Sequence, residues 1–582
     1  MTFRRPQDPT RPGERREPPR LSTTDSTADH GAQPSIHRPR RALAGAVAAA
    51  LVAGSALAGT ASAQAGHPSG SPAPASAALP LGPAGLPEAR DVRVLQPGVT
   101  LTTIVRGVAD PKSVWTVEVA IPSSSPDPDA PATALSDQPT ADAVAARLRA
   151  AGLDPRVEDV PTPQLADAGG NNLGYRVRLG SFAAKADADA LRAKVIAAGV
   201  GASSVFTGWD GEPDDVSGST GPWHVQVLTI DPRKFRGGLD ASYGLDLEAR
   251  ETTSTLATLT GATAAANAGF FVLDPKSGAP GDPAGVAVYD GRLVSEPTAG
   301  RPALVINDGA RNTAVERFRW RGEIRGLGAP LPLDGLDRVP GLIRNCGGTA
   351  DDLPTSKPLH DVTCKDPDEL IAFDSAYAAS TPSGPGAEVV IDRHGVVTAI
   401  RTTTRGGAIP EGGRTVQAIG NQVPLLLAAA KIGNRLEIRA SLTDLGGHDV
   451  RLSPRTTIVN GGPELIRDGQ LHATPLADGM APPDNPSQYY GWVHKRNPRT
   501  IAGVDALGRT VIITADGRSE ASLGLGIAEA AAVAKSFGLR SAINLDGGGS
   551  TTMVANNKLV NSPSDATGER PVGDALVITP TR

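Results

Sequence analysis

The sequence predicts an α+β protein in which a small βαββαβ unit precedes a larger, strand-rich domain. Three observations carry that reading. Residues 113–207 repeat the order strand, helix, strand. From Trp223 to the C-terminus, short alternating or apolar strands outnumber two clear helices. At 582 residues, the chain is too long for one core and calls for two or more domains with linkers. Its formal net charge of −5, with both signs intermixed, argues against a nucleic-acid protein, which would carry a basic face.

The first 63 residues read as an export signal. A polar, Pro/Arg-rich stretch ends in Arg38-Pro-Arg40-Arg41, an Ala/Leu/Val/Gly segment runs from Ala42 to Ala58, and Ala61-Ser-Ala63 has the small-x-small form of a cleavage site. A membrane anchor is the competing reading, but the segment is short for a span. The expected destination is extracellular or cell-wall associated, by either the general or the twin-arginine route. Residues 64–87, rich in Ala, Pro, Gly and Ser, are expected to be a disordered linker. Short apolar stretches within 88–112 suggest first strands.

The repeat begins at Trp115-Thr-Val-Glu-Val-Ala120, which alternates as a strand does. Thr140 to Gly152 opens with a capping hydroxyl, keeps helical spacing and closes on glycine. Strands follow at Arg156–Val160 and Tyr175–Leu179, then a helix from Lys185 to Ala198 and a strand at Ser204–Thr207. Within this unit, Tyr175-Arg-Val-Arg-Leu-Gly180-Ser181-Phe182, continuing into an Ala/Leu helix, resembles the signature of the SPOR domain. That resemblance implies a module over 113–207 that binds peptidoglycan glycan strands.

The acidic, Gly-rich stretch 208–222 reads as a linker, and the second domain is expected over 223–582. Its strands are expected at Trp223–Asp231, Gly285–Tyr289, Ala303–Ile306, Ala387–Asp392, Arg435–Ala440 and Thr510–Ala515. Its helices are expected at Glu248–Leu259 and Gly526–Phe537. The two cysteines, Cys346 and Cys364, cannot supply four zinc ligands. In an exported chain they are expected to pair, closing a polar loop and stabilising it by about 3 kcal/mol.

Four stretches combine glycine with polar groups: Asn267-Ala-Gly269-Phe-Phe271, Asn460-Gly-Gly462, His494 to Thr500, and Ala515-Asp516-Gly517-Arg518. A fifth, Asn544-Leu-Asp546-Gly547-Gly548-Gly549-Ser550-Thr551, delivers a carboxylate to a triple-glycine turn followed by hydroxyls. Glycines let a ligand approach the main chain, yet the same run suits a hairpin turn. No lysine follows the glycines, as a Walker loop needs, and neither a G-x-G-x-x-G nor a G-x-S-x-G spacing is present there.

Taken in order, these five stretches resemble the phosphodiester glycosidase family over roughly 223–579. The resemblance implies hydrolysis of a sugar-1-phosphodiester to the free sugar and a phosphomonoester. On that reading Arg499 clamps the phosphate, Asp546 acts as nucleophile or base, and Asp516 is the second carboxylate. Asn267, Gly269, Thr500, Gly547, Gly548, Gly549, Ser550 and Thr551 bind substrate, with Glu529 as a reserve acid. Departures from the family pattern lie around the Cys346–Cys364 loop and His472–Tyr490, which puts the sugar preference in question. No cofactor is implied. A hard cation at Asp546 is a third reading without regularly spaced acids to support it. The competing class is a non-catalytic wall-binding protein that recognises a phosphorylated polymer.

Overall fold

The computed structural model describes residues 78–580, except 123–132, 170–171, 212–217, 299, 346–348 and 356–363. The expected export signal and cysteine Cys346 lie outside the described residues. The disulfide expectation is therefore carried forward from sequence alone. Among the described residues no helix is long and apolar enough to cross a membrane.

The chain enters as an antiparallel pair, β1 (Glu88–Gln96) and β2 (Val99–Arg106). The next unit has the expected order: β3 (Trp115–Val119), α1 (Gln138–Ala150), β4 (Pro155–Pro161), β5 (Asn172–Phe182), α2 (Lys185–Ala197) and β6 (Ala202–Phe206). Its sheet order is β4-β5-β3-β6. Asp137 caps α1 by accepting from the Thr140 N–H at 2.8 Å. Alternation along β3 and β5 sends Val117, Val119, Val177 and Leu179 into a core shared with α1 and α2.

After this unit, β7 (Trp223–Ile230) pairs along its whole length with β2. The βαββαβ unit is thus inserted between two neighbouring strands of one larger sheet. That eight-stranded sheet continues from β7 through Thr510–Ala515, Arg499–Asp505, Leu539–Asn544 and Glu464–Arg467 to the edge strand Gln470–Leu471. The larger domain therefore starts upstream of the expected boundary at Trp223. The expected linker at 64–87 is corrected over 78–87, where Leu79 and Leu81 are fully buried in the core beside Trp223. The expected linker at 208–222 is anchored at its start, where Trp209 stacks edge-on against Trp115 at 5.3 Å.

The large sheet has two covered faces. Ile501 and Ile513 point toward the helix Ile527–Ser536 and the inserted unit, whereas Ala502 and Ile512 point to a second sheet. That second sheet contains β8 (Gly238–Ser242), the all-buried β9 (Ala264–Asn267), Met553–Ala555, Lys558–Leu559 and Ala575–Thr579. A helix, α3 (Thr253–Thr260), leads into β9, capped by Thr252 and closed by Gly261 in the left-handed region. The alanines of β9 let the two sheets approach closely. A seven-stranded sheet, a further five-stranded sheet and two two-stranded ribbons are built from segments between 287 and 460.

The open face of the β4-β5-β3-β6 sheet rests on the segment Pro486–Lys495. Arg178 donates to Glu118 and to Asp210 at 2.7 Å, and Arg176 and Arg178 both donate to the Tyr490 hydroxyl, at 3.0 and 3.1 Å. The Lys495 ammonium reaches Glu118 at 2.7 Å. Burial alone would raise the Glu118 carboxyl, but Lys495 and Arg178 hold it well below the carboxylate range. Arg178→Ala strands the Glu118 and Asp210 carboxylates in the interior. It is expected to lower stability by about 3–5 kcal/mol in chemical denaturation, with Tyr490→Phe costing about 1–2 kcal/mol. An unchanged midpoint for Arg178→Ala would show the network to be uncoupled from folding.

Candidate active site

The triple-glycine run lies where the two packed sheets exchange chain. Leu539–Asn544 belongs to the eight-stranded sheet and Met553–Ala555 to the sheet of β9, so the turn is a sheet-to-sheet crossover and not a hairpin. Both sheets grip it. The Asp546 N–H donates to the Ala268 carbonyl at 2.9 Å, and Leu545 donates to the Thr500 carbonyl at 2.8 Å. The Asn267 side chain donates to the Asp546 carbonyl at 2.7 Å while accepting from the Thr500 hydroxyl at 2.7 Å and the Thr552 N–H at 3.1 Å. Gly548 takes φ of 61°, a conformation glycine adopts without strain. A Cβ on Gly549 would collide with the Arg570–Asp565 ion pair.

This crossover places Asp546 in the wall of a cavity of about 420 Å³. Arg344, Arg499, Arg518 and Arg570 line it, with Phe271 and Trp492 as apolar walls and the Gly547–Ser550 turn as its floor. A smaller recess of about 50 Å³, shared at Arg344, Gln488, Trp492 and Asp546, extends toward Arg301. The Arg499 guanidinium lies 5.0 Å from the Trp492 ring centre and donates to the Leu525 carbonyl at 3.0 Å and to the Trp492 carbonyl. Arg518 donates to the Asn497 side chain at 3.2 Å.

The electrostatics of this cavity favour an anion. Burial, with the neighbouring Arg518, pushes Arg499 down to about 9, and burial with Arg570 pushes Arg518 down. Arg344 is lowered by burial too, against the pull of Asp546 and Asp282. Guanidinium groups that depress one another gain when an anion enters between them, and their planar forks suit phosphate oxygens. Burial also raises the Asp546 carboxyl, opposed by Ser550, Arg344, Arg570 and the Gly547 N–H.

Of the residues expected at the site, Asp546, Arg499, Gly547, Gly548, Gly549 and Ser550 line the cavity. Others do not. Asp516 turns away and accepts from the Asn561 side chain and the Ser562 N–H, both at 3.0 Å, holding the loop after Met553–Ala555. Asn267 and Thr500 are spent on the grip around Asp546. The Gly269 N–H donates to Asp574 at 2.7 Å, and Thr551 is buried behind the turn. Two glycine amides are already engaged, Gly547 with its neighbour's carboxylate and Gly548 with the Pro498 carbonyl. Glu529 caps its own helix at Gly526 and pairs with Arg496 at 2.7 Å. Asn460 bonds the Phe270 backbone in both directions, which sets the adjoining Phe271 at the cavity wall.

Sequence reasoning missed Arg344, Arg518, Arg570, Trp492 and Asp574. Arg518 and Trp492 stand within or beside the quoted stretches, a local signal that was available. Arg344 and Arg570 arrive from distant loops.

A Burkholderia pseudomallei K96243 protein of known crystal structure, whose name gives only an expectation of export, is 33% identical. The match covers 86% of this chain and 98% of that one, with a TM-score of 0.76. Residues 385–579 match the phosphodiester glycosidase family. The chain carries a domain of that family. Residues 132–206 match the SPOR domain, inside the inserted unit. Among curated relatives, the mouse N-acetylglucosamine-1-phosphodiester alpha-N-acetylglucosaminidase is 33% identical over 118 residues, 20% of this chain and 22% of the relative. Its bovine counterpart is 30% identical over 165 residues, 27% of this chain and 30% of the relative. The chain thus spans less than a third of the length of these curated relatives.

One further buried acid, Asp574, lies near Asp546 and accepts from the Gly269 N–H at 2.7 Å and the Tyr289 hydroxyl at 2.8 Å. Burial, despite these two bonds and with the added charge of Asp546, pushes it up to about 6. A raised carboxyl favours the fold while protonated, and that contribution is lost as pH rises through about 6. Relative to Asp574→Asn, wild-type stability should fall by roughly 2–3 kcal/mol between about pH 4 and about pH 7. Denaturation of both proteins across that range measures the difference, and a flat difference contradicts the raised carboxyl.

Proposed function

We propose that this protein is an exported hydrolase that cleaves a sugar-1-phosphodiester in cell-wall or extracellular glycopolymers, of the N-acetylglucosamine-1-phosphate type. One observation carries the reading: a single half-buried carboxylate, Asp546, faces a cavity ringed by four arginines and an aromatic wall. The arginines hold the phosphate, and Trp492 and Phe271 offer apolar surface to a sugar ring. In the reaction, the anomeric carbon–oxygen bond breaks, its electrons leave on the phosphate oxygen, and a water oxygen ends on the anomeric carbon. Asp546 acts as nucleophile or as base for that water. A phosphate stabilised by guanidinium groups leaves without a proton donor, so the turning away of Asp516 does not remove an essential acid. The activity for which the mouse and bovine relatives are named supports the substrate class.

The SPOR domain supports targeting to peptidoglycan glycan strands, which must bind on the surface that its docking against Pro486–Lys495 leaves accessible. Cys346 and Cys364 are proposed to pair, as suits an exported chain. The second reading, a non-catalytic protein that binds a phosphorylated wall polymer, is favoured by one feature: Asp546 is the sole carboxylate among the described residues lining the main cavity.

Asp546→Asn is expected to lower hydrolysis of an N-acetylglucosamine phosphodiester by roughly 10²–10⁴-fold in a folded protein. Asp516→Asn, outside the cavity, should lose far less. Wild-type turnover by folded Asp546→Asn would sink the assignment. Polymer binding without phosphomonoester release, across several sugar phosphodiesters, would favour the second reading. Mass spectrometry of the secreted protein should find an N-terminus at Gln64, after Ala63, and an intact leader would refute the proposed cleavage.

A further inference from the structure

Away from the cavity, three carboxylates from separate stretches come together. One oxygen from each of Asp334, Asp351 and Asp366 lies within 4.8 Å of the others. Asp334 and Asp366 are buried, at 5% and 3% exposure, and Asp351 is exposed. Acidic residues crowd surfaces often, so proximity alone decides nothing. The deciding feature is the state of Asp366. Its Oδ1 accepts from the Asp368 N–H at 2.8 Å, while its Oδ2 is buried and has no hydrogen-bond partner. A buried carboxylate oxygen with nothing to accept from costs stability unless a cation or donor meets it.

Surrounding charges do not meet that need. Asp334 and Asp366 are raised by burial and by further carboxylates, Glu369 and Asp351 among them. Arg338, the guanidinium beside them, is committed to Glu369 at 2.5 Å and Glu296 at 2.7 Å. Backbone geometry holds the cluster in place. Asp334 accepts from the Leu370 N–H at 2.6 Å, and Ile343 and Cys364 exchange both main-chain bonds, at 3.1 and 3.2 Å.

We propose that Asp334, Asp351 and Asp366 form a binding site for a calcium ion. The donors are all hard carboxylate oxygens, which exclude a thiolate- or imidazole-selecting metal. Calcium takes such oxygens at about 2.3–2.6 Å, so one ion can touch all three of a set of oxygens that lie within 4.8 Å of one another. Magnesium demands near-ideal octahedral geometry at about 2.0–2.1 Å, keeps several waters and is usually held by one or two carboxylates, so a three-carboxylate set favours calcium. The exposed side at Asp351 leaves room for waters to complete the shell. An ion there ties the loop at Asp351 to the strand Leu370–Phe373. Through the Ile343–Cys364 bridge it also steadies the backbone that carries Arg344 into the active-site cavity.

The test is calorimetric titration of the full chain, after chelator treatment, with calcium chloride and separately with magnesium chloride. Calcium should bind with a dissociation constant of about 10⁻⁴–10⁻³ M, the range of extracellular sites. Asp351→Asn and Asp366→Asn should each weaken binding at least about tenfold, as loss of one charged ligand requires. Asp351→Asn alters an exposed side chain, and Asp366→Asn keeps an oxygen for the Asp368 N–H, so both should fold. Circular dichroism checks this. Absence of calcium binding at roughly 5 mM, well above the expected range, overturns the site. Undiminished binding by both folded variants overturns the assigned ligands, and equal affinity for magnesium overturns the choice of ion.

Discussion

The Asn267 side chain is the constraint on which the active site depends. It ends a strand of four buried residues in one sheet and reaches the Thr500 hydroxyl in the other. With its remaining donor it holds the Asp546 carbonyl. Three hydrogen bonds engage this fully buried amide, one to the strand Arg499–Asp505 and two to opposite ends of the crossover. In a low-dielectric interior such a group is costly when any partner is lost, which makes the arrangement close to all-or-none. The crossover from Leu545 to Thr552 therefore cannot shift without disturbing both sheets. Rigid placement of one carboxylate is what a reaction at a single carbon requires.

The same economy links the inserted SPOR unit to the cavity. Tyr490 and Trp492 are two residues apart on one short helical stretch. Tyr490 is buried in the Arg176–Arg178–Glu118 network, and Trp492 forms the cavity wall under Arg499. Because β2 and β7 are hydrogen-bonded neighbours, both ends of the inserted unit are fixed to the catalytic sheet. A ligand that draws on the SPOR unit therefore pulls on a body joined to the catalytic domain by its sheet and by a buried ion network. That differs from two beads on a flexible string, which the acidic stretch after Phe206 suggested.

What the sequence made legible follows from the range of each signal. Alternation and helical spacing are local, and the βαββαβ order and Thr510–Ala515 emerge with little change. The run around Asp546 is legible because glycines beside a carboxylate are informative over a few residues. Topology is not local. Nothing in the periodicity of β1 and β2 tells that they join β7 across an inserted domain. The Asp516 misreading has the same origin: a strand end shows that a residue is near a sheet's rim, but not toward which loop it turns. Likewise Arg344 and Arg570 come from segments far apart in sequence, and only folding gathers them. Hairpin and crossover look identical over the span of one turn, because the distinction lies in which partners the flanking strands choose.

The charge balance around Asp546 gives the proposed chemistry its direction. Burial raises this carboxyl, and Arg344 and Arg570 oppose the rise. Those guanidinium groups are also among the groups available to a bound phosphate. When a phosphodiester anion takes up part of their charge, Asp546 loses some of the field that favours its ionised form, and its proton affinity increases. Binding the substrate thus makes the carboxylate a stronger base at the moment it is needed, while the phosphate becomes a better leaving group under the same cations. Asp574, close enough for its charge to feel Asp546, works in the same sense whenever it is ionised. An arginine ring around one acid is consequently more than an anion trap: it couples occupancy of the proposed phosphate site to the reactivity of the one carboxylate that faces it among the described residues.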